Sequence, residues 1–247
     1  MKIYAIIPAR YGSTRFPGKP LAPIAGKPMI RHVYEHALAC PEVLDVFVAT
    51  DDDRISECVR DFGGKTVMTK KGHPSGTDRI AEASQKMNLQ KDDLIVNIQG
   101  DQPLFQPSSI SQLIRPLVED RDIAMSTLKY QITDQQEVQH PNHVKVVTDR
   151  EGFALFFSRS PLPFYRDPKT SRRHFKHLGF YAYPMKFLTK FVSLPVGELE
   201  SAEKLEQLRA LEYGYRIKVV ETEFDSVEVD TPEDAQKLEK LLAEDHG

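Results

Sequence analysis

Ile3-Tyr4-Ala5-Ile6-Ile7-Pro8-Ala9-Arg10-Tyr11-Gly12-Ser13-Thr14-Arg15-Phe16-Pro17-Gly18-Lys19-Pro20-Leu21 sets a short apolar run directly before a loop punctuated by glycine and proline. That loop carries three cations, Arg10, Arg15 and Lys19. The opening strand of an α/β sheet delivers its loop to the carboxyl edge, where exposed backbone N–H groups and a following helix favour anionic ligands. Position and charge together point to a polyphosphate. The spacing is neither G-x-G-x-x-G nor G-x-x-x-x-G-K-[ST], so the dinucleotide fingerprint and the Walker loop both fail. The plainer alternative is a solvated connector whose cations face water.

Outward from that strand, apolar runs recur at 46–49, 66–68 and 94–98, and the stretches 29–39, 53–62 and 77–87 between them carry apolar residues at helical spacing. The alternation predicts parallel strands joined by right-handed crossovers: an α/β fold with a doubly wound, mostly parallel, Rossmann-like sheet. A further helix is predicted over 107–119. Shorter extended pieces then follow at 124–129, 144–148, 153–157 and 178–183, which read as antiparallel. Pro141, Pro161, Pro163 and Pro168 suit edge strands and turns rather than another crossover. Residues 130–173 are therefore expected to be an inserted antiparallel region, with 1–129 and 174–247 forming the nucleotide-binding α/β domain. Helices are predicted over 185–191 and 202–213, a strand over 217–221 and a closing helix from Thr231.

The chain has 247 residues, 40% hydrophobic and 28% charged, enough for a sizeable core. A formal net charge of −3 supplies no global basic field, so no nucleic acid partner is expected. The opening apolar run is too brief for a signal peptide and no run is long enough to span a bilayer. Cys40 and Cys58, both placed in helices, exclude a disulfide scaffold and suit buried filler in a cytoplasmic enzyme.

Leu94-Ile95-Val96-Asn97-Ile98-Gln99-Gly100-Asp101 puts a carboxylate just past a buried strand, where it would face a cation or cap a tight turn. Magnesium takes one or two protein carboxylates and completes its shell with water and phosphate oxygens. A second acid is then expected, and Asp230 is the candidate. It precedes Thr231-Pro232-Glu233-Asp234, which forms a good helix start without any metal. The loop 68–79 could hold a base or ribose, or Ser75 or Thr77 could simply cap the next helix. Asp51-Asp52-Asp53 resembles a glycosyltransferase D-x-D but also suits helix capping, and His32 and His36 lack the context of a metal pair.

Pro8-Ala9-Arg10 through Lys19-Pro20-Leu21, Gly26-Lys27-Pro28-Met29, Ala49-Thr50-Asp51, Ser75-Gly76-Thr77-Asp78-Arg79, Gln99-Gly100-Asp101 and Val229-Asp230-Thr231-Pro232-Glu233-Asp234 together resemble the CMP-KDO synthetases, the 3-deoxy-manno-octulosonate cytidylyltransferases. The likeness includes Phe157-Ser158-Arg159, His177-Leu178-Gly179 and Leu205-Glu206-Gln207-Leu208-Arg209, and it runs over nearly the whole chain. It implies a nucleotide-sugar transferase fold, CTP and a 3-deoxy-octulosonate sugar acid as substrates, and Mg2+ as cofactor. It further implies a homodimer joined through the inserted region, and a cytoplasmic role in lipopolysaccharide biosynthesis.

By the same resemblance Arg10, Ser13, Arg15 and Lys19 hold the triphosphate, and Ser75, Gly76 and Arg79 the cytidine. Asp101 and Asp230 are metal ligands, and with Lys19 they form the catalytic set. Gln99, Arg159, Arg166, His177, Tyr181, Glu206 and Gln207 take the sugar. The family's commoner motif is Gly-Asp-Glu-Pro, whereas this chain has Gly-Asp-Gln-Pro at 100–103. Gln102 and residues 204–214 look more like the branch that activates 8-amino-3,8-dideoxy-manno-octulosonate, so either sugar is implied. The nearest rival activity is a glycosyltransferase that consumes a nucleotide sugar through Asp51–Asp53.

Overall fold

A computed structural model describes residues 1–12, 16–167 and 172–244. The predicted βαβ alternation is present. It runs β1 (Ile3–Ala9), α1 (Met29–Leu38), β4 (Asp45–Thr50), α2 (Asp53–Asp61), β5 (Lys65–Met68), α3 (Gly76–Lys86), β6 (Leu94–Asn97) and α4 (Pro107–Glu119). The minimal hairpin of β2 (Pro23–Ile24) and β3 (Lys27–Pro28) precedes α1. Then come β7 (Met125–Gln131), α5 (Gln135–Gln139), β8 (Lys145–Thr148), β9 (Ala154–Ser158) and β10 (Phe175–Pro184). The chain finishes with α6 (Met185–Phe191), α7 (Glu198–Glu203), α8 (Gln207–Glu212), β11 (Ile217–Thr222) and α9 (Pro232–Glu244).

The main sheet runs β11-β7-β10-β6-β1-β4-β5. Pairing is parallel at β11–β7, β6–β1, β1–β4 and β4–β5, and antiparallel where β10 inserts between β7 and β6. Strand order turns back at β1. The chain builds outward through β4 and β5, then α3 returns it to place β6 on the other side of β1. Such a reversal opens a crevice at the carboxyl ends of the two diverging strands, and this is where open α/β sheets bind ligands.

Burial explains the sheet's position. All four residues of β6 are buried, the uninterrupted apolar pattern of a strand covered on both faces. Alternate residues of β1 point to opposite layers. Ala5, Ile7 and Ala9 pack with α1, α2 and α4, while Ile6 joins Ala49 and Ile95 against α3, α6 and α8. A third, smaller cluster of Ile24, Met29, Val229, Ala235 and Leu238 fastens α9 and the strand-like segment before it onto the β2–β3 hairpin.

Three local expectations change. The helix read over 202–213 is two helices, α7 and α8, broken at Lys204 in the left-handed region (φ 54°, ψ 44°). The break is held because it aims the Glu203 and Lys204 carbonyls at the Arg159 guanidinium (2.7 and 3.4 Å), while Arg209 grips Glu200 bidentately across it (2.6 and 2.7 Å). Residues 130–173 include a helix, α5, capped by the Asp134 side chain, besides antiparallel β8 and β9. These two strands join the main sheet, with β8 pairing β10 at Lys145 and Lys176. Cys40 lies just past the end of α1 rather than within it, although it is buried as expected.

Candidate active site

Two cavities share one rim at the carboxyl ends of β1 and β6. The first, about 240 Å³, is lined by Arg10, Lys19, Ser75, Gly76, Arg79, Gln99, Asp101 and Asp230, together with Pro8 and His73. The second, about 740 Å³, shares Gln99, Asp101 and Asp230 with it and extends past Gln102, Arg159, His177, Gly179 and Lys176. The two acids therefore stand where the compartments meet.

Asp101 is carried there by β6 and the turn that follows. Gly100 lets that turn lie against β1, since a Cβ at this position would stand 3.1 Å from the Pro8 carbonyl oxygen. Asp230 arrives from the far end of the chain. The Val229 amide donates to the Asp101 carbonyl (2.8 Å) and the Val227 amide to that of Leu104 (3.1 Å), a short antiparallel pairing that lays 227–229 beside 101–104. Thr231 and Asp234 form the predicted N-terminal cap of α9: the Asp234 amide donates to the Thr231 hydroxyl, and the Thr231 amide and hydroxyl donate to the Asp234 carboxylate. Lys19, on the short 3-10 turn after the basic loop, bridges the acids, with Nζ 2.7 Å from Asp101 Oδ2 and 3.4 Å from Asp230 Oδ1. Ser13 and Arg15 lie outside the described residues.

Asp101, Asp230 and Glu228 each offer a carboxylate oxygen within 4.8 Å of one another, the one acid cluster of ligand geometry among the described residues. Glu228 was not legible as a site residue, although the alternation Val227-Glu228-Val229-Asp230 is the signal of a short strand placing both acids on one side. Hard carboxylate oxygens in this number suit a divalent cation such as Mg2+.

The side lined by Ser75, Gly76 and Arg79 is tied down by its own hydrogen bonds. Ser75 caps α3, its hydroxyl accepting from the Asp78 amide and donating to Asp78 Oδ2, which fixes the loop before Gly76 at a cost to lose of about 1 kcal/mol. A Cβ on Gly76 would press on the Pro8 ring at 3.2 Å. Arg79 is buried and held by the Thr69 hydroxyl (2.6 Å) and Asp51 (3.1 Å). His73, which sequence reasoning did not single out, is tied to Glu82. Burial opposes ionisation there, but Lys86, the Lys70 amide and His73 together draw the Glu82 carboxyl down to about 2. Asp51 and Asp52 are thereby committed to structure, the latter capping α2 and pairing with Arg54. His32 and His36 bond separate backbone carbonyls, of Ile24 and Phe105.

On the second side the expected sugar residues divide. Gln99, Arg159 and His177 line the large cavity. Tyr181, Glu206 and Gln207 instead line a separate buried pocket of about 10 Å³ beneath it, where Thr77 donates to Glu206 and burial raises the Glu206 carboxyl. Arg166 is exposed in the loop after β9 and lines neither cavity. The His177 ring connects the levels, 5.3 Å from Tyr181 and 5.1 Å edge-on to Phe157.

Burial pushes the His177 imidazole down to about 3, so the ring is neutral near pH 7. Thr127 Oγ1 donates its proton to the Phe180 carbonyl (2.7 Å) and so accepts from His177 Nε2 (2.9 Å). That leaves Nδ1 as an acceptor. Between about pH 6.5 and 3 the unfolded chain binds a proton that the folded one refuses, so stability falls as pH drops through that window. The gap in unfolding free energy between wild type and His177→Asn should therefore narrow from pH 7 to pH 4 in urea titrations. A gap independent of pH would show that this ring titrates normally.

A lysine between two acids, beside a cavity lined by Arg10, Arg79 and Gly76 at the carboxyl edge of an α/β sheet, suits transfer chemistry on a nucleotide, the chemistry of the nucleotidyltransferases. The chain is a member of the cytidylyltransferase family, whose model matches residues 4–218. It is 57% identical over 226 residues (92% of this chain, 91% of the relative) to the 3-deoxy-manno-octulosonate cytidylyltransferase of Desulfosudis oleivorans. It is 56% identical over 228 residues (92% of each) to the 8-amino-3,8-dideoxy-manno-octulosonate cytidylyltransferase of Shewanella piezotolerans. The solved structure of a CMP:2-keto-3-deoxy-manno-octonic acid synthetase complexed with CTP superposes with a TM-score of 0.93 at 42% identity, covering 99% of this chain and all of that one. These findings bear out the resemblance to the CMP-KDO synthetases. No helix among the described residues is long and apolar enough to cross a membrane.

Proposed function

We propose that this protein transfers CMP from CTP to the anomeric hydroxyl of a 3-deoxy-manno-octulosonate, either KDO or its 8-amino analogue, releasing pyrophosphate for lipopolysaccharide biosynthesis in the cytoplasm. The observation that carries this reading is the meeting of a nucleoside-sized cavity and a larger polar one at Asp101 and Asp230. Donor and acceptor can thus lie on either side of one acid pair.

Arg10 and Lys19 hold the triphosphate, Lys19 already fixed at the acid pair. Arg79 and the Ser75–Gly76 turn, immobilised by their own hydrogen bonds, receive the cytidine without reorganising. Arg159, Gln99 and His177 orient the sugar acid, the guanidinium lying nearest its carboxylate and the neutral imidazole offering an acceptor to a hydroxyl. Tyr181, Glu206 and Gln207 support that floor from below. The attacking oxygen forms a bond to the α-phosphorus as the bond to the β-phosphate oxygen breaks, its electron pair leaves with pyrophosphate and the hydroxyl proton is released. The protein's contribution is positioning and charge, with no covalent step. Mg2+, held by Asp101 and Asp230 with Glu228 beside them, would lower the hydroxyl's pKa and offset phosphate charge when bound.

Residues 130–173 supply the expected dimer contact, consistent with the exposure of Leu155 (62%) and Phe164 (86%) there. The test is pyrophosphate release from CTP and Mg2+ with each sugar in parallel, on protein whose mass is followed by sedimentation. Release with at least one sugar by a dimer is expected. Absence of release with both would refute the reaction, and a monomer at assay concentration would refute the assembly.

A further inference from the structure

Gln102 is the one residue of the large cavity whose polar burial is left unresolved by its surroundings. It is only 4% exposed, and its Oε1 has no hydrogen-bond partner among the described residues. Its backbone amide bonds the Gln99 carbonyl (3.2 Å), which anchors the main chain but not the side chain. A buried acceptor without a donor costs stability, and native proteins keep such groups rarely and for a reason. The surroundings have been opened to admit this side chain. The register of β10 slips between Leu178 and Tyr181, and the glycine in the slip, Gly179, leaves room for Gln102 Nε2, which would stand 3.4 Å from a Cβ placed there.

Location selects the ligand. Gln102 lines the larger cavity and is absent from the lining of the nucleotide cavity, although Gln99 and Asp101 line both. We propose that Gln102 is a specificity-determining residue for the sugar acid, its unpaired amide completing its hydrogen bonds on a hydroxyl or ammonium of that substrate beside the acid pair. The inference rests on the reaction proposed above and adds which residue reads the acceptor. The relatives that activate KDO and those that activate its 8-amino analogue are equally similar to this chain, so overall identity does not choose between the sugars. A single buried amide in the lining of that cavity is a place where such a choice can be made. An amide can both accept and donate, whereas an ionised acid in its place would only accept.

The experiment measures initial rates of pyrophosphate release by the full chain with CTP and Mg2+, varying each substrate in turn, for wild type, Gln102→Met and Gln102→Glu, alongside thermal melting. Gln102→Met is expected to raise the KM for the sugar acid about tenfold while leaving the KM for CTP within about twofold. Its melting temperature should stay level or rise, because the apolar replacement of similar shape removes a buried unpaired acceptor. Gln102→Glu is expected to change the kcat/KM ratio between the two sugars at least severalfold. A Gln102→Met enzyme with an unchanged sugar KM overturns the proposal, as does one that melts lower with both KM values raised together, the behaviour of a purely structural residue. If Gln102→Met does not fold, an unaltered sugar ratio in Gln102→Glu overturns it. Wild-type protein that releases no pyrophosphate with either sugar refutes the parent reaction and this inference with it, whereas wild-type turnover with indifferent variants refutes this inference alone.

Discussion

Asp101→Asn is expected to cut turnover by about two to three orders of magnitude while leaving the fold intact, because it removes one preorganised charge from the point where phosphoryl charge shifts. The side chain is the nearer of two carboxylates to Lys19 Nζ, at 2.7 Å against 3.4 Å for Asp230. The isosteric amide cannot balance that ammonium or serve a divalent cation equally well. The fold should survive because the structural bond at this position is made by the backbone: the Asp101 carbonyl accepts from Val229, and Asn keeps that carbonyl. The measurement is kcat at saturating CTP, sugar and Mg2+, with melting temperature as the control. A variant that kept turnover within threefold of wild type would remove Asp101 from the catalytic set.

Glu200→Gln should produce the largest loss of stability, about 3–5 kcal/mol in urea unfolding, because it strands a buried guanidinium. Arg209 and Glu200 are paired by two bonds of 2.6 and 2.7 Å, with side chains only 7% and 11% exposed, and Arg209 also lies 4.9 Å over the Phe191 ring. Glu206 is the next acid to Arg209, but at 3.8 Å it does not replace a bidentate partner. The pair clamps α7 to α8 around the Lys204 turn, so the same change should loosen the support under Arg159. Replacing both partners by apolar residues, Glu200→Leu with Arg209→Met, should recover most of the loss, since a buried ion pair contributes little beyond its own desolvation. A single variant less than 1 kcal/mol below wild type would show that the guanidinium finds water once its partner is gone.

The half of the site at the ends of β1 and β6 was legible because its signals are local. The run 3–9 followed by a basic, glycine-punctuated loop marks the carboxyl end of a first strand, and Gln99-Gly100-Asp101 marks the end of another. The α/β alternation then requires both ends to open on the same edge. Helix caps were equally readable, since Ser75, Asp52 and Thr231 each act within three residues of their own position. The half lined by Arg159 and His177 was less legible. Glu206 and Gln207 follow a helix break that no periodicity announces, because the left-handed turn at Lys204 is stabilised by Arg159, 45 residues away in sequence. Their removal to a pocket below the large cavity, and the exposure of Arg166, follow from how that turn and the loop after β9 pack.

The sequence by itself determined a doubly wound α/β sheet, a basic, glycine-punctuated loop after its first strand and an acid at the end of β6, since strand periodicity, turn residues and capping act over a few residues and carry their meaning with them. Only the tertiary structure decided that Asp230 and Glu228 stand beside Asp101, that Lys19 lies between the acids, and that Gln102 is buried without a partner. Those placements depend on the antiparallel seam between 227–229 and 101–104 and on the apolar cluster of Ile24, Met29, Val229 and Leu238 beneath α9. Burying that cluster repays the entropy of closing a loop of more than a hundred residues, and no short stretch of the chain encodes the closure alone.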